Sequence, residues 1–193
     1  MKSGVVIGTV ALLMSSGAFA QQTPPVKPMG DQGSTKAVND KKPSPDQHFV
    51  TDAAVGGMAE VELGKLAADK AANADVKKFG QRMADDHGKA NDELKVLAQS
   101  EKITLPSAID AKHKSTIDRL SKLSGEAFDR AYVEEMLKDH QKDVAAFRTE
   151  SKSGKDPEVK AWAGKTLPTL EEHLKMVQDL NRTAVGTSGV KKP

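Results

Sequence analysis

Four stretches of the chain place apolar residues at intervals of three and four, the spacing that lines one face of an α-helix. The first runs from about Asp46 to Ala72, with Phe49, Ala53, Leu63 and Ala67 on one face. Gly56 and Gly64 flank that face and allow a neighbouring helix to approach closely. The second runs from about Asp75 to Ser100 on Val76, Phe79, Met83, Ala90, Leu94 and Leu97. The third, about Glu126 to Ser151, carries Tyr132, Val133, Met136, Val144 and Phe147; the fourth, about Pro157 to Arg182, carries Val159, Trp162, Leu170, Val177 and Leu180. Ser44 suits an N-cap and Pro45 a first turn, while Pro168 should kink the fourth helix. No stretch shows the strand period, so the pattern predicts an all-α fold.

The connections select the topology. An Asn73-centred turn joins the first two helices, and residues 153–157 join the last two, so each pair must form an antiparallel hairpin. Between the pairs lies a long connector containing Leu105-Pro106 and a predicted short helix from Ser107 to Leu123. At about 1.5 Å per residue, such a connector can run the length of a bundle about 35–40 Å tall. A long crossover of this kind gives a ferritin-like four-helix bundle, with the second and third helices parallel. An up-down bundle with an excursion is the alternative.

Composition adds boundaries. Lys2, the apolar run Val5 to Met14 and Ala18-Phe19-Ala20 form a signal peptide over residues 1–20, cleaved after Ala20, which predicts a periplasmic protein. Residues 21–45, rich in Pro, Gly, Lys and Asp, read as a disordered linker, 46–182 as the bundle and 183–193 as a flexible tail. With no Cys, the mature chain can be neither anchored through a lipobox nor stapled by disulfides, so it needs a self-sufficient core. The 29 basic and 27 acidic residues are interspersed, and aromatics make up 4%, which argues against a nucleic-acid partner. No apolar run is long enough for a membrane span. Protein partners and oligomeric state leave no signature.

The candidate chemistry interrupts the apolar stripes. Glu60, His87, His140 and His173 each lie on the inner face of a different long helix, near its middle. Midpoints coincide in height whichever way each helix runs, so the four should share one layer of the core. Ionisable groups there need partners or a metal. Imidazole with carboxylate suits Zn, Fe, Cu or Mn, and the absence of Cys removes thiolate options. The di-iron pattern needs Glu three residues before His, but Ala84, Leu137 and Leu170 stand there instead. With one inward carboxylate, one ion of Cu or Zn is favoured over Fe. Met83 and Met136 each precede a histidine by four, offering thioethers that lean towards copper or simply fill the core. Glu62 and Asp85 face outward, His113 reads as a satisfied histidine on the crossover, and His48 as exposed. No nucleotide loop, HExxH, GxSxG or internal repeat of fixed period is visible.

The segments FVTDAAVGGMAEVELGKLA, VKKFGQRMADDHGKANDELKVLA, FDRAYVEEMLKDHQKDVAAF and VKAWAGKTLPTLEEHL together resemble the domain-of-unknown-function 4142 family over about residues 46–181. The resemblance implies a ferritin-like bundle exported to the envelope and carries no activity with it. Such proteins are often labelled outer-membrane proteins, a label this chain's lack of barrel strands does not support. The leading expectation is a periplasmic metal-binding or weakly redox-active bundle with Glu60, His87, His140 and His173 as ligands. A structural or stress-related envelope protein, its histidines satisfied within the core, is the rival. An acid–base enzyme ranks last, because no nucleophile or substrate pocket is evident.

Overall fold

A computed structural model describes residues 42–185. The expected signal peptide, the linker through residue 41 and the tail from residue 186 lie outside the described residues. Five helices follow one another: α1 Pro45–Lys70, α2 Ala74–Ser100, α3 Ala111–Ser121, α4 Gly125–Ser153 and α5 Pro157–Leu180. A π-helical turn, Asn181–Val185, continues α5. No strand occurs among the described residues, and no helix there is long and apolar enough to cross a membrane.

Local signals set the helix starts. At α1, Ser44 Oγ accepts from the Gln47 N–H and Gln47 Oε1 accepts from the Ser44 N–H, a reciprocal cap ahead of Pro45. Asn73 and Asp156 cap α2 and α5 through their side-chain oxygens. Gly125 opens α4 at a φ of +58°, where a Cβ would be strained. The crossover helix is shorter than the predicted Ser107–Leu123, because Asp110 accepts from the His113 N–H at 2.8 Å and fixes the first turn there. Pro168 lies inside α5, which continues past it.

Two apolar clusters reveal the directions of the helices. At one end Leu63 and Ala67 from late α1 meet Phe79 and Met83 from early α2, Phe128 and Tyr132 from early α4, and Val177 from late α5. At the other end Val50 of α1 packs with Leu94 of α2, Phe147 of α4 and Val159 of α5. So α2 and α4 run parallel, opposite to α1 and α5, as the long crossover requires. Leu120 of α3 joins the first cluster, and Lys70 Nζ donates to the Ser121 carbonyl at 2.6 Å, tying the end of the crossover to the end of α1.

Each hairpin clamps the loop of the other with a buried aspartate. Asp129 in early α4 accepts from the Ala72 and Asn73 N–H groups at 3.0 and 2.8 Å. Asp46 in α1 accepts from the Lys155 and Asp156 N–H groups at 3.0 and 2.7 Å. Asp46 stands as far ahead of the cap Asn73 as Asp129 stands ahead of the cap Asp156. The two hairpins therefore share one plan, a repeat carried by caps and clamps that the apolar pattern conceals. In this register Glu60 is the counterpart of Asp143.

Helices α1 and α2 meet at their glycines. A Cβ on Gly64 would lie 2.6 Å from the Gly80 carbonyl oxygen, and one on Gly80 would lie 2.6 Å from the Ala67 Cβ. The close approach expected at Gly64 is present. At Gly56 it is not, since a Cβ there meets nothing within 4 Å, whereas one on neighbouring Gly57 would strike Asn91. One residue is about 100° around the helix, and Gly57 is the position that faces α2. Gly64→Ala is expected to destabilise the bundle by about 1–3 kcal/mol through overpacking. Gly56→Ala should be neutral or stabilise by up to about 1 kcal/mol through helix propensity. Urea unfolding of the two variants checks the contrast; equal effects would mean α1 and α2 do not meet at this seam.

Candidate metal centre

Between the two apolar clusters lies a polar layer contributed by all four long helices. Glu60 comes from α1, His87 from α2, His140 from α4 and His173 from α5, and all four are buried, His140 and His173 completely. The ring centroids of the three histidines are separated by 5.3, 5.4 and 5.7 Å, nearly an equilateral triangle. One nitrogen from each ring lies within 4.8 Å of one from each of the others. Phe79 packs near His140 and edge-on to His173, closing one side. Met83 and Met136 are fully buried in the cluster beneath.

Each imidazole has one nitrogen held and one left over. His140 Nδ1–H donates to the Met136 carbonyl at 3.0 Å, an acceptor that fixes the tautomer. His173 Nε2–H donates to Asp86 Oδ2 at 3.0 Å. His87 Nδ1 lies 2.9 Å from Glu60 Oε2 and donates to it once Glu60 is ionised. The remaining nitrogens, His87 Nε2, His140 Nε2 and His173 Nδ1, are buried without a hydrogen-bond partner. Glu60 stands on the Nδ1 side of both His87 and His140, the latter at 3.8 Å from its Oε1. That oxygen too is buried without a partner.

Asp86 went unread in the sequence. It lies next to His87, at the edge of the stripe rather than within it, and becomes a partner only when α5 is laid alongside α2. Burial alone would raise its pKa. Hydrogen bonds from His173 and Arg82 outweigh that and hold the carboxyl below its ordinary range. Arg82 in turn pairs with Asp86 at 3.1 Å and with Glu172 at 2.6 Å. Asp139 and Asp143 of α4 were also unread, and equal hairpin spacing marks Asp143 as the counterpart of Glu60. His113 bonds to Asp110 at 2.7 Å, and His48 is exposed, both as expected.

Burial dominates the protonation states. It lowers His87, His140 and His173 from 6.5 to about 4, leaving neutral rings at ordinary pH. It raises Glu60 from 4.5 to about 7, and it raises Asp143 from 3.8 to about 8 with help from Glu60 and Asp139. Three neutral imidazoles, each steered by an acceptor behind it and each with a spare lone pair, have the donor chemistry and outer support of a transition-metal site.

The chain belongs to the DUF4142 family, a domain of unknown function, whose pattern matches residues 32–180. No curated protein matches the sequence. Among solved structures the fold is similar to a DUF305 fragment from Deinococcus radiodurans, at 15% identity and a TM-score of 0.62, over 72% of this chain and 97% of that one. It is also similar to CopM in its Cu(I)-bound form, at 17% identity and a TM-score of 0.60 over 72% and 97% of the two chains. CopM in its Cu(II)-bound form matches at 19% identity and a TM-score of 0.61 over 71% and 95%. At these identities the likeness establishes the fold.

The opposed shifts predict a stability optimum for metal-free protein. Between pH 6.5 and about 4 the unfolded chain protonates its histidines while the folded chain does not, so unfolding takes up protons and acid destabilises the fold. Glu60 and Asp143 act in reverse. The fold keeps their protons up to about pH 7 and 8 after the unfolded chain has released them, so stability falls as pH rises through that range. Below pH 6.5 the three histidines outweigh the two carboxyls. Thermal midpoints of chelator-treated protein should therefore peak near pH 6.5 and decline on both sides; a flat profile from pH 4 to 8 would contradict burial of this layer.

Proposed function

We propose that this DUF4142 protein is an exported metal-binding protein that holds one transition-metal ion between His87, His140 and His173. The observation that carries this reading is the set of three buried, partnerless imidazole nitrogens, each on a ring whose other nitrogen is held by a backbone carbonyl or a carboxyl group. A buried polar atom without a partner costs about 1–3 kcal/mol, and an ion would satisfy three at once. Metal–imidazole bonds of about 2.0–2.1 Å place tetrahedral ligand nitrogens about 3.4 Å apart, so the triangle would contract slightly on loading.

Copper fits best, with zinc next. The donors are neutral imidazoles, two thioethers lie in the cluster beneath, and proteins of the same fold hold Cu(I) and Cu(II). Glu60, on the far side of His87, serves as an orienting group rather than a fourth ligand, and Asp86 does the same for His173. The leader sequence and the absence of Cys fit export to the periplasm.

Untagged protein purified from the periplasm of producing cells should carry about one ion per chain by elemental analysis. Competitive titration with Cu(II) and Zn(II) should show His87→Ala, His140→Ala and His173→Ala each losing more than about 100-fold in affinity, beyond the 10–100-fold typical of outer-shell changes. Glu60→Gln keeps an oxygen to accept from His87 and should lose no more than about 10-fold. A loss as large as that of the histidine variants would make Glu60 a direct ligand. Met83→Leu should weaken only Cu(I), and His48→Ala should change nothing. Equal, weak binding by wild type and all histidine variants would leave the histidines as core residues alone.

A further inference from the structure

The layer has an open side. A cavity of about 260 Å³ reaches it between α1 and α4, roofed by the start of the crossover at Asp110, Lys112 and His113. Of the quartet, only Glu60 and His87 line this cavity. His140 and His173 are fully enclosed, with Phe79 against both rings and the Asp86–Arg82–Glu172 ion pairs beyond His173. The cavity wall is acidic. Asp52, Glu60, Asp110, Asp139 and Asp143 line it, against Lys112 and Lys142. At its inner end the 4% exposed Glu60 presents Oε1, an acceptor with no partner. The Nε1–H of Trp162, another lining residue, is likewise buried without a partner and can donate to a water carried in by an ion. Small residues, Ala53, Gly56 and Ala59 among them, keep the space free.

We propose that this cavity is the loading vestibule of the centre: Asp139 and Asp143 capture a hydrated transition-metal cation, and Glu60 Oε1 holds it at the inner end before it enters the triangle of histidines. The proposal rests on the three-histidine reading above and adds the route by which the ion travels. A cleft in which carboxyls outnumber lysines, between low-dielectric walls, concentrates cations once those carboxyls are ionised and raises association rates by about 10–1,000-fold. A buried carboxylate with one oxygen on His87 and the other free is placed to hold the ion at its last step. The roles are thereby divided: the histidines set the affinity and the carboxylates set the rate.

The test is stopped-flow mixing of the full chain with Cu(II), read by quenching of Trp162, the single tryptophan. Asp139→Asn/Asp143→Asn should slow association by about tenfold, the lower end of electrostatic steering. The control Asp69→Asn/Asp85→Asn makes the same two substitutions at exposed positions outside the cavity and should slow it less than about twofold, as expected for charges screened by solvent. Gly56→Leu supplies a steric plug, since a Cβ at Gly56 meets nothing within 4 Å. It should slow association and dissociation by the same factor and leave the equilibrium affinity unchanged. If both double variants slow association equally, the overall field of the protein is responsible and the vestibule is wrong. Unchanged rates in Gly56→Leu with intact binding overturn it as well. Absence of saturable Cu(II) binding in the wild type would instead overturn the three-histidine reading on which it rests.

Discussion

Placing three imidazoles and a carboxyl at one height in an apolar bundle imposes a cost that the surrounding structure is arranged to meet. Each ring needs an acceptor within reach, and the acceptors come from different sources: a backbone carbonyl one turn back for His140, Asp86 for His173 and Glu60 for His87. Those partners fix ring orientations and leave one lone pair per ring aimed away from them. The same layer divides the apolar core into two clusters, each closed by its own hairpin loop and its own clamping aspartate. A polar stratum between two dry ones is the organising pattern of the molecule. Register along the four helices follows from it, because sliding one helix by a turn would strand a buried histidine against hydrocarbon.

Much of this was legible from periodicity. Glu60, His87, His140 and His173 interrupt long apolar stripes at mid-helix, and the stripes themselves place those residues inward. The length of the connector favours the parallel arrangement of α2 and α4 over an up-down bundle with an excursion, and the two apolar clusters decide between them. What periodicity conceals is which neighbour a border residue meets. Asp86, Asp139 and Asp143 lie at the margins of their stripes, where a helical wheel cannot separate solvent from an adjoining helix. Gly56 and Gly57 differ by one step of rotation, and only the packed structure shows that Gly57 faces Asn91. The shared plan of the hairpins was hidden for a related reason. It resides in hydrogen-bonding positions, Asp46 with Asn73 and Asp129 with Asp156, rather than in the apolar residues that a periodicity search weighs.

The protonation pattern ties stability to chemistry. A centre of neutral imidazoles is ready to accept a cation, but its neutrality is maintained by burial that disfavours the acid form. Glu60 is biased the opposite way and sits where it can exchange a proton for a positive charge. Desolvation thus prepares ligands and carboxyl together, with no need for a preformed negative charge at the heart of the bundle.

The division of the quartet between hairpins has a consequence for the order of assembly. Glu60 and His87 belong to α1 and α2, while His140 and His173 belong to α4 and α5. Neither hairpin alone presents three imidazoles, and the unfolded chain scatters them along its length. An ion bound only by the docked pair stabilises docking by mass action, by about 2.7 kcal/mol at a free concentration 100 times its dissociation constant. On the proposed three-histidine reading the bundle would close before it is loaded, and the ion would act as a latch on a finished structure rather than as a template for one.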